Sequence, residues 1–153
     1  MPEPLVLDRD VYLQLVAHRY DGLPFEACGL LAIDPASGHV VGCYPTDNEA
    51  ASARVYTVPS GAILRADRDA EGRSLVLGGV FHSHTHTTAY PSPTDVDQAP
   101  DPGWRYVIVG LGEGVPVVRS YRIVDGNVAE EPVVVRECTA QGGVSIPEQS
   151  SRL

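Results

Sequence analysis

The sequence predicts a single domain of the α+β class, in which a mixed β-sheet and two or three helices pack as a sandwich. Short apolar segments with strand character are mixed with two stretches of helical period, without the regular rhythm of βαβ units. The length of 153 residues suits one compact domain rather than two. Apolar residues make up 43% of the chain, which is typical of a globular protein and not of a disordered one.

Two helices are predicted from apolar periodicity and from residues that start or end helices. In the first, Asp8 is the candidate N-cap, and Gly22 and Pro24 end the helix. The second is predicted to begin at Ser60 and to extend to about residue 73. The apolar positions expected to pack are Val11, Tyr12, Leu15, Val16 and Tyr20 in the first helix, and Ile63, Leu64 and Ala70 in the second.

Seven segments have strand character, and turn residues separate several of them. The segment 34–38 predicts one hairpin turn, and the sequence Asp125-Gly126-Asn127 predicts another. Beyond Cys138 the apolar pattern ends, so we expect a folded domain over 1–138 and a flexible tail over 139–153. The predicted strands are 29–33, 39–44, 55–58, 75–84, 105–111, 116–124 and 128–135.

The charge balance and the lack of long apolar runs restrict the partners and the location. All 11 basic residues are arginines, against 20 Asp and Glu, and the formal net charge is −9. Phosphate binding needs clustered positive charge, so no nucleic-acid partner is expected. No apolar run approaches the roughly 20 residues that cross a bilayer, and the first residues lack signal-peptide character. We therefore expect a cytoplasmic protein without a membrane partner.

The cysteines predict neither a disulfide framework nor a thiolate zinc site. Cys28, Cys43 and Cys138 are odd in number, widely spaced and outside any CxxC motif. We expect Cys28 and Cys43 to be buried free thiols.

The segment 82–95 contains three of the five histidines and carries the candidate chemistry. If the preceding strand continues to residue 84, alternation places His82 and His84 on one face and Ser83 on the other. The two imidazoles and the carboxylate of Asp95 would then supply the three protein ligands of a catalytic Zn²⁺, with water as the fourth ligand. A zinc ion in such a site lowers the pKa of its water to about 7 and polarises the carbonyl group under attack.

Each part of this pattern also has a purely structural interpretation. Two alternating histidines on a strand are more often packing or surface residues than metal ligands. Ser92 and Asp95, with a proline between them, form a capping box for a short helix, which explains both residues without a metal. The two interpretations are compatible, because a helix that begins there can direct Asp95 towards the ion. His86 is either an exposed loop residue or a residue that supports the ligands or contacts the substrate.

The order His82-x-His84, seven residues, Ser92, two residues and Asp95 resembles, without a gap, the HxHx7SxxD signature of the JAMM (MPN+) metallopeptidases. The resemblance covers about residues 5 to 136. It implies the JAMM/MPN fold, a cytidine-deaminase-like sandwich, and one catalytic Zn²⁺ bound by His82, His84 and Asp95. It also implies that Ser92 stabilises the tetrahedral oxyanion.

The segment 24–31, Pro-Phe-Glu-Ala-Cys-Gly-Leu-Leu, is similar to the segment of the same family that carries its catalytic glutamate. The resemblance therefore implies that Glu26 is the general base, which later protonates the leaving amine. Without the resemblance, an ordinary surface carboxylate or a turn residue is the better interpretation of Glu26, because its separation from His82 carries no spacing information.

Thr85 and its surroundings are similar to a bacterial branch of the family, the Mec-type peptidases, whereas many deubiquitinating members have proline after the second histidine. This resemblance implies a ubiquitin-like sulfur-carrier protein with a C-terminal Gly-Gly as the partner, and release of cysteine from that carrier. An isopeptidase acting on ubiquitin-like conjugates and a non-catalytic MPN scaffold are the alternatives. A homodimer is left open.

Overall fold

The computed structural model describes residues 2–112 and 114–137, which form eight strands and three helices. The predicted tail, 139–153, and Cys138 lie outside the described residues. The elements in chain order are β1 (Leu5–Asp8), α1 (Arg9–Gly22), β2 (Cys28–Ile33), β3 (Val40–Thr46), α2 (Ser60–Gly72), β4 (Val76–Ser83), α3 (Pro93–Asp97), β5 (Arg105–Gly112), β6 (Val115–Val124), β7 (Asn127–Glu131) and β8 (Val133–Arg136).

These strands join one mixed sheet in the order β7-β6-β5-β4-β2-β3-β1-β8. Strand β1 is parallel to β3 and β8, and β4 is parallel to β5, whereas the other neighbouring pairs are antiparallel. The combination of a mixed sheet with separate helices confirms the predicted α+β class. Strands β2 and β4, which lead to the candidate site residues, are in the middle of the sheet.

The sheet separates two apolar cores. On one face, Leu31, Phe81 and Val107 pack with Val11 and Leu15 of α1. The other face carries a second core that includes Tyr56, Val80, Ile108 and Tyr121 and is lined by Val96 of α3. Helix α2 contacts β2 and β4 on this second face, where the hydroxyl of Tyr44 donates to Asp69 at 2.5 Å. The predicted sandwich is therefore confirmed.

Helix α1 confirms the first predicted helix, with Val11 and Leu15 buried as expected. Asp8 occupies the N-cap position, but its side chain makes no cap hydrogen bond. Its carboxylate instead accepts a hydrogen bond from Nε of Arg136 at 2.6 Å, across the β1 and β8 pair. The sequence-based assignment missed β1, because four residues directly before a helix carry too short an alternation to recognise.

Helix α2 confirms the second predicted helix but differs from the prediction in its start and its packing side. Pro59 holds the N-cap position and Ser60 is the first helical residue. Ala70 is buried as predicted, whereas Ile63 and Leu64 are exposed. The small side chain of Ala66 takes the second buried position, which allows the helix to approach the sheet closely.

The predicted strand 55–58 is wrong. Its backbone groups are satisfied by the side chain of Asn48 rather than by a neighbouring strand: the side-chain amide donates to Val55 O at 2.9 Å, and Oδ1 accepts from Thr57 N–H at 2.9 Å. A further hydrogen bond joins Glu49 N–H to Thr57 O. The segment is therefore an ordered loop on the second face of the sheet.

The predicted strand 128–135 is divided in two by Pro132, which has no N–H for a continuous ladder. Strand β7 pairs with β6 and β8 pairs with β1, at opposite ends of the sheet. The other predicted strands and both hairpins are confirmed. At the second hairpin, Asp125 and Gly126 have φ of 50° and 77°, as a type I′ turn requires.

Cys28 and Cys43 are free thiols as predicted, Cys28 buried and Cys43 half-buried. Of the helices that the structure describes, none is long and apolar enough to cross a membrane.

Gly29 in β2 is required by a close approach between strands. A methyl group at this position would overlap the carbonyl oxygen of Tyr44 and lie 2.5 Å from ring carbons of Phe81. We expect Gly29→Ala to lower the free energy of unfolding by about 1–3 kcal/mol, because a buried strand cannot accommodate the added volume. Urea titration followed by circular dichroism measures this change. Gly72→Ala is the control, since a methyl group added there would meet no atom within 4 Å; a loss at Gly72 equal to that at Gly29 would contradict the steric explanation.

Candidate metal centre

Three side chains meet at the end of β4 and the start of α3. Nε2 of His82 lies 3.0 Å from Nε2 of His84, and each of these nitrogens lies 3.1 Å from Oδ2 of Asp95. All three residues are buried. The structure thus brings together the three residues that the sequence analysis assigned to the metal.

The strand β4 directs the two histidines to one face. Its alternation turns His82 towards the second core and Ser83 towards α1, as predicted. His84 lies just beyond the strand, but its N–H donates to Val109 O at 2.9 Å, which continues the pairing with β5 by one more residue. The extended backbone at 84 is the reason that both imidazoles reach the same point.

The tautomer of His84 is determined by the loop that follows it. Its Nδ1 lies 2.7 Å from the carbonyl oxygen of Thr88, an acceptor, so Nδ1 carries the proton and donates it. Nε2 therefore presents a lone pair to Asp95 Oδ2 and to His82. This is the arrangement that an outer hydrogen bond imposes on a metal-binding histidine.

His82 is held by packing on an aromatic ring. The ring of Tyr56 stacks on the imidazole with the centroids 4.2 Å apart and the planes 15° from parallel. Burial lowers the pKa of His82, so the imidazole is in its neutral form, which is the form that binds metals. The sequence analysis missed this role of Tyr56, because it placed the residue in a strand.

Asp95 and Ser92 form the predicted capping box. Ser92 N–H donates to Oδ2 of Asp95 at 2.8 Å, and Asp95 N–H donates to Oγ of Ser92 at 3.1 Å. Burial alone would raise the pKa of Asp95, but a hydrogen bond from His82 and one from Ser92 N–H outweigh it and hold the pKa well below its usual range. The predicted capping box is therefore confirmed, and its geometry is compatible with metal binding by the same carboxylate.

The donor set fits a divalent cation. Nε2 of His84 presents a lone pair to an ionised oxygen of Asp95 at about hydrogen-bond distance, and the neutral imidazole of His82 lies beside them. A cation bound among these three side chains accepts electron pairs from all of them. Two imidazoles and one carboxylate are ligands that suit Zn²⁺. With three protein ligands, such a site leaves the coordination position that catalysis needs for water.

Glu26 lies beside this group and is buried. Ala27 N–H donates to Oγ of Ser83 at 2.7 Å, and Ser83 N–H donates to Ala27 O at 2.9 Å, which joins the start of β2 to the end of β4. Oε2 of Glu26 has no hydrogen-bond partner among the residues that the structure describes. Burial raises the pKa of Glu26 to about 7, so this carboxyl group can exchange a proton near neutral pH.

A cavity of about 360 Å³ opens next to these residues. His86 lies on its wall, exposed and outside the group of converging ligand atoms. Ala53 and Arg54 of the loop between β3 and α2 also line the cavity, a contact that no local sequence pattern indicates. The lining residues are Glu26, Ala53, Arg54, His84, His86, Thr87 and Ser92.

Comparison with known proteins identifies relatives over most of the chain. A family model described as prokaryotic homologs of the JAB domain matches residues 8–124. The chain is 42% identical over 134 residues to the CysO-cysteine peptidase of Mycobacterium tuberculosis, covering 87% of this chain and 92% of that protein. It is 33% identical over 112 residues to the desampylase of Haloferax volcanii, covering 68% of this chain and 78% of that protein.

Solved structures have the same fold. A protein of Desulfitobacterium hafniense gives a TM-score of 0.80 at 33% identity and covers 88% of this chain and 94% of its own. A JAB1/MPN domain protein of Archaeoglobus fulgidus gives a TM-score of 0.54 at 17% identity, over 85% and 99% of the two chains, and shows the shared fold. The matching family model spans every residue of the candidate site. This chain therefore belongs to the JAB (JAMM/MPN) family, in its prokaryotic branch.

Proposed function

We propose that this protein is a zinc peptidase that hydrolyses the peptide bond after the C-terminal Gly-Gly of a ubiquitin-like sulfur-carrier protein and releases cysteine or a similar small amine. The observation that carries the proposal is the convergence of His82, His84 and Asp95 beside the buried carboxyl group of Glu26. The same proposal assigns the reaction to sulfur assimilation in the cytoplasm.

The relatives support this choice of substrate. The CysO-cysteine peptidase matches this chain over nearly the full length of both proteins, and its name describes a peptidase that acts on CysO-cysteine. The ligand residues, Glu26 and Ser92 all lie within the matching family model. A shared fold alone would not support a common substrate, but high coverage together with a complete site does.

In the proposed mechanism, His82, His84 and Asp95 hold the zinc ion. When bound, zinc acidifies a water molecule and polarises the carbonyl group of the substrate. Glu26 accepts a proton from the attacking water and later donates it to the leaving amine nitrogen, a role suited to a pKa of about 7. No covalent link between the enzyme and its substrate is needed.

Ser92 is proposed to stabilise the oxyanion that develops on the carbonyl oxygen. Its Oγ accepts a hydrogen bond from Asp95 N–H, which leaves the hydroxyl proton free to donate. The residue is half-buried on the wall of the cavity. The capping box thus holds both a ligand and an oxyanion donor at one helix start.

An isopeptidase acting on ubiquitin-like conjugates is the second candidate, supported by the similarity to the Haloferax desampylase. That relative matches a smaller share of this chain than the CysO-cysteine peptidase does. A non-catalytic scaffold receives less support, because the chain has every residue type that the proposed reaction requires.

Removing the proposed general base tests the mechanism. We expect Glu26→Gln to lower kcat by about 100- to 10,000-fold while zinc stays bound, because the amide cannot accept the proton. Mass spectrometry of cysteine released from a carrier-Gly-Gly-Cys conjugate measures the rate, with zinc-loaded and EDTA-stripped protein compared. Glu49→Gln, an exposed residue in the loop after β3, is the control. Full activity of Glu26→Gln would remove Glu26 from the mechanism.

Asp95 is tested by an isosteric change that keeps the cap. We expect Asp95→Asn to weaken zinc binding by more than about 100-fold, since loss of a direct ligand exceeds the effect of losing an outer hydrogen bond. The amide oxygen can still accept from Ser92 N–H, so the fold should persist. Competition with a chromophoric chelator measures affinity. Asp97→Asn in the same helix is exposed and should bind zinc as the unchanged protein does; equal affinities for both variants would argue against the metal site.

The two candidate substrates are separated by direct competition. We expect a carrier joined to cysteine through its α-amine to be hydrolysed with a higher kcat/KM than the same carrier joined to a lysine side chain of a protein. Both conjugates are assayed together with zinc-loaded enzyme by mass spectrometry. Equal or faster cleavage of the lysine conjugate would favour the isopeptidase.

A further inference from the structure

Arg54 is an arginine that lines the same cavity as His86, beside the candidate metal centre. It lies on the loop between β3 and α2, and it shares the cavity wall with Glu26, His84 and Ser92. The proposed reaction assigns no role to this arginine. Its position next to the groups that would act on the scissile bond indicates contact with the substrate.

Within the described residues, 2–112 and 114–137, no carboxylate forms an ion pair with the guanidinium group of Arg54. The arginines that do form such pairs are Arg9, Arg73, Arg105, Arg119, Arg122 and Arg136. Arg54 is exposed and lines the same cavity as Glu26, in a protein of net charge −9.

The backbone that carries Arg54 is anchored on both sides. Arg54 N–H donates to Oγ of Ser52 at 3.1 Å, and the side-chain amide of Asn48 donates to Val55 O at 2.9 Å. Oγ1 of Thr85, the residue after the second histidine, donates to Ala53 O at 3.0 Å. The loop is therefore held directly to the segment that carries the proposed metal ligands, so the backbone at Arg54 has a defined place beside the cavity.

The leaving residue of the proposed substrate carries an anion that an arginine can recognise. A single cysteine joined to a carrier through its amine has a free α-carboxylate two bonds from the scissile nitrogen. The forked donors of a guanidinium group fit a carboxylate in a bidentate pair. A cavity of about 360 Å³ is at the small end of ligand sites and has room for a single amino acid.

We propose that Arg54 binds the free α-carboxylate of the leaving residue, which makes the enzyme selective for conjugates that end one residue after the carrier. This inference rests on the proposed function and specifies its substrate class. A lysine within a protein chain presents no free carboxylate at this distance from the scissile bond. Arg54 therefore favours release of a single amino acid over cleavage of an isopeptide bond.

The test compares two conjugates that differ only at the C-terminus. Carrier-Gly-Gly-Cys with a free carboxylate and the same conjugate with a carboxamide are assayed with zinc-loaded protein by mass spectrometry. We expect the acid to be preferred in kcat/KM by about 10- to 100-fold, the range for one charge-assisted pair. In Arg54→Gln the acid-to-amide ratio should fall towards 1, through loss of activity on the acid. Arg68→Gln, an exposed arginine in α2, should keep the preference.

A binding measurement separates recognition from chemistry. In the Glu26→Gln background, calorimetry should give a Kd for the acid about 10- to 100-fold lower than for the amide, and Arg54→Gln should remove this difference. Equal cleavage of acid and amide by the unchanged protein would overturn the carboxylate site and leave the peptidase in place. An equal loss on both conjugates in Arg54→Gln would also overturn it, since Arg54 would then contact the carrier. Cleavage of neither conjugate by the unchanged protein would overturn the proposed function and this inference together.

Discussion

Two hydrogen bonds between Ala27 and Ser83 join the residue after Glu26 to the residue between the two histidines. They extend the antiparallel pairing of β2 with β4, in the middle of the sheet, to the edge where the candidate site lies. Because Ser83 faces away from the histidines, its hydroxyl is free to accept the N–H of Ala27. The carboxyl group of Glu26 is thereby held next to the proposed ligands His82 and His84, more than 50 residues away in the chain.

Asp95, the remaining proposed ligand, is positioned by the capping box at the start of α3. Ser92 and Asp95 satisfy each other's backbone N–H groups, and the same Asp95 oxygen faces both imidazoles. A five-residue helix contributes little stability by itself. The helix instead positions side chains, because its capping box sets the direction of the Asp95 carboxylate and places the hydroxyl of Ser92 on the cavity wall.

Asn48 organises the other side of the cavity. Its side chain binds the backbone of Glu26, Ser52, Val55 and Thr57, and so attaches the loop after β3 to the start of β2. This loop brings two functions to the site: Tyr56 stacks on His82, and Arg54 lines the cavity. The side chain of Asn48 therefore helps to position both the tyrosine that stacks on His82 and the arginine proposed to recognise the leaving residue.

Short-range periodicity and capping signals in the sequence predicted the α+β class, most strands and both long helices, and the structure confirms them. A gapless motif pointed to His82, His84, Ser92 and Asp95 as site residues, whereas Glu26 was proposed only from the similarity of segment 24–31 to the family. Features that depend on contacts between distant segments could be identified only from the tertiary structure. The segment 55–58 alternates like a strand, but its backbone forms hydrogen bonds with the side chain of Asn48 instead of a neighbouring strand. Pro132 divides another predicted strand into two strands that pair at opposite ends of the sheet. The loop between β3 and α2 positions Tyr56 and Arg54. No local sequence pattern predicts these positions, because contacts between distant segments arise only when the sheet has formed.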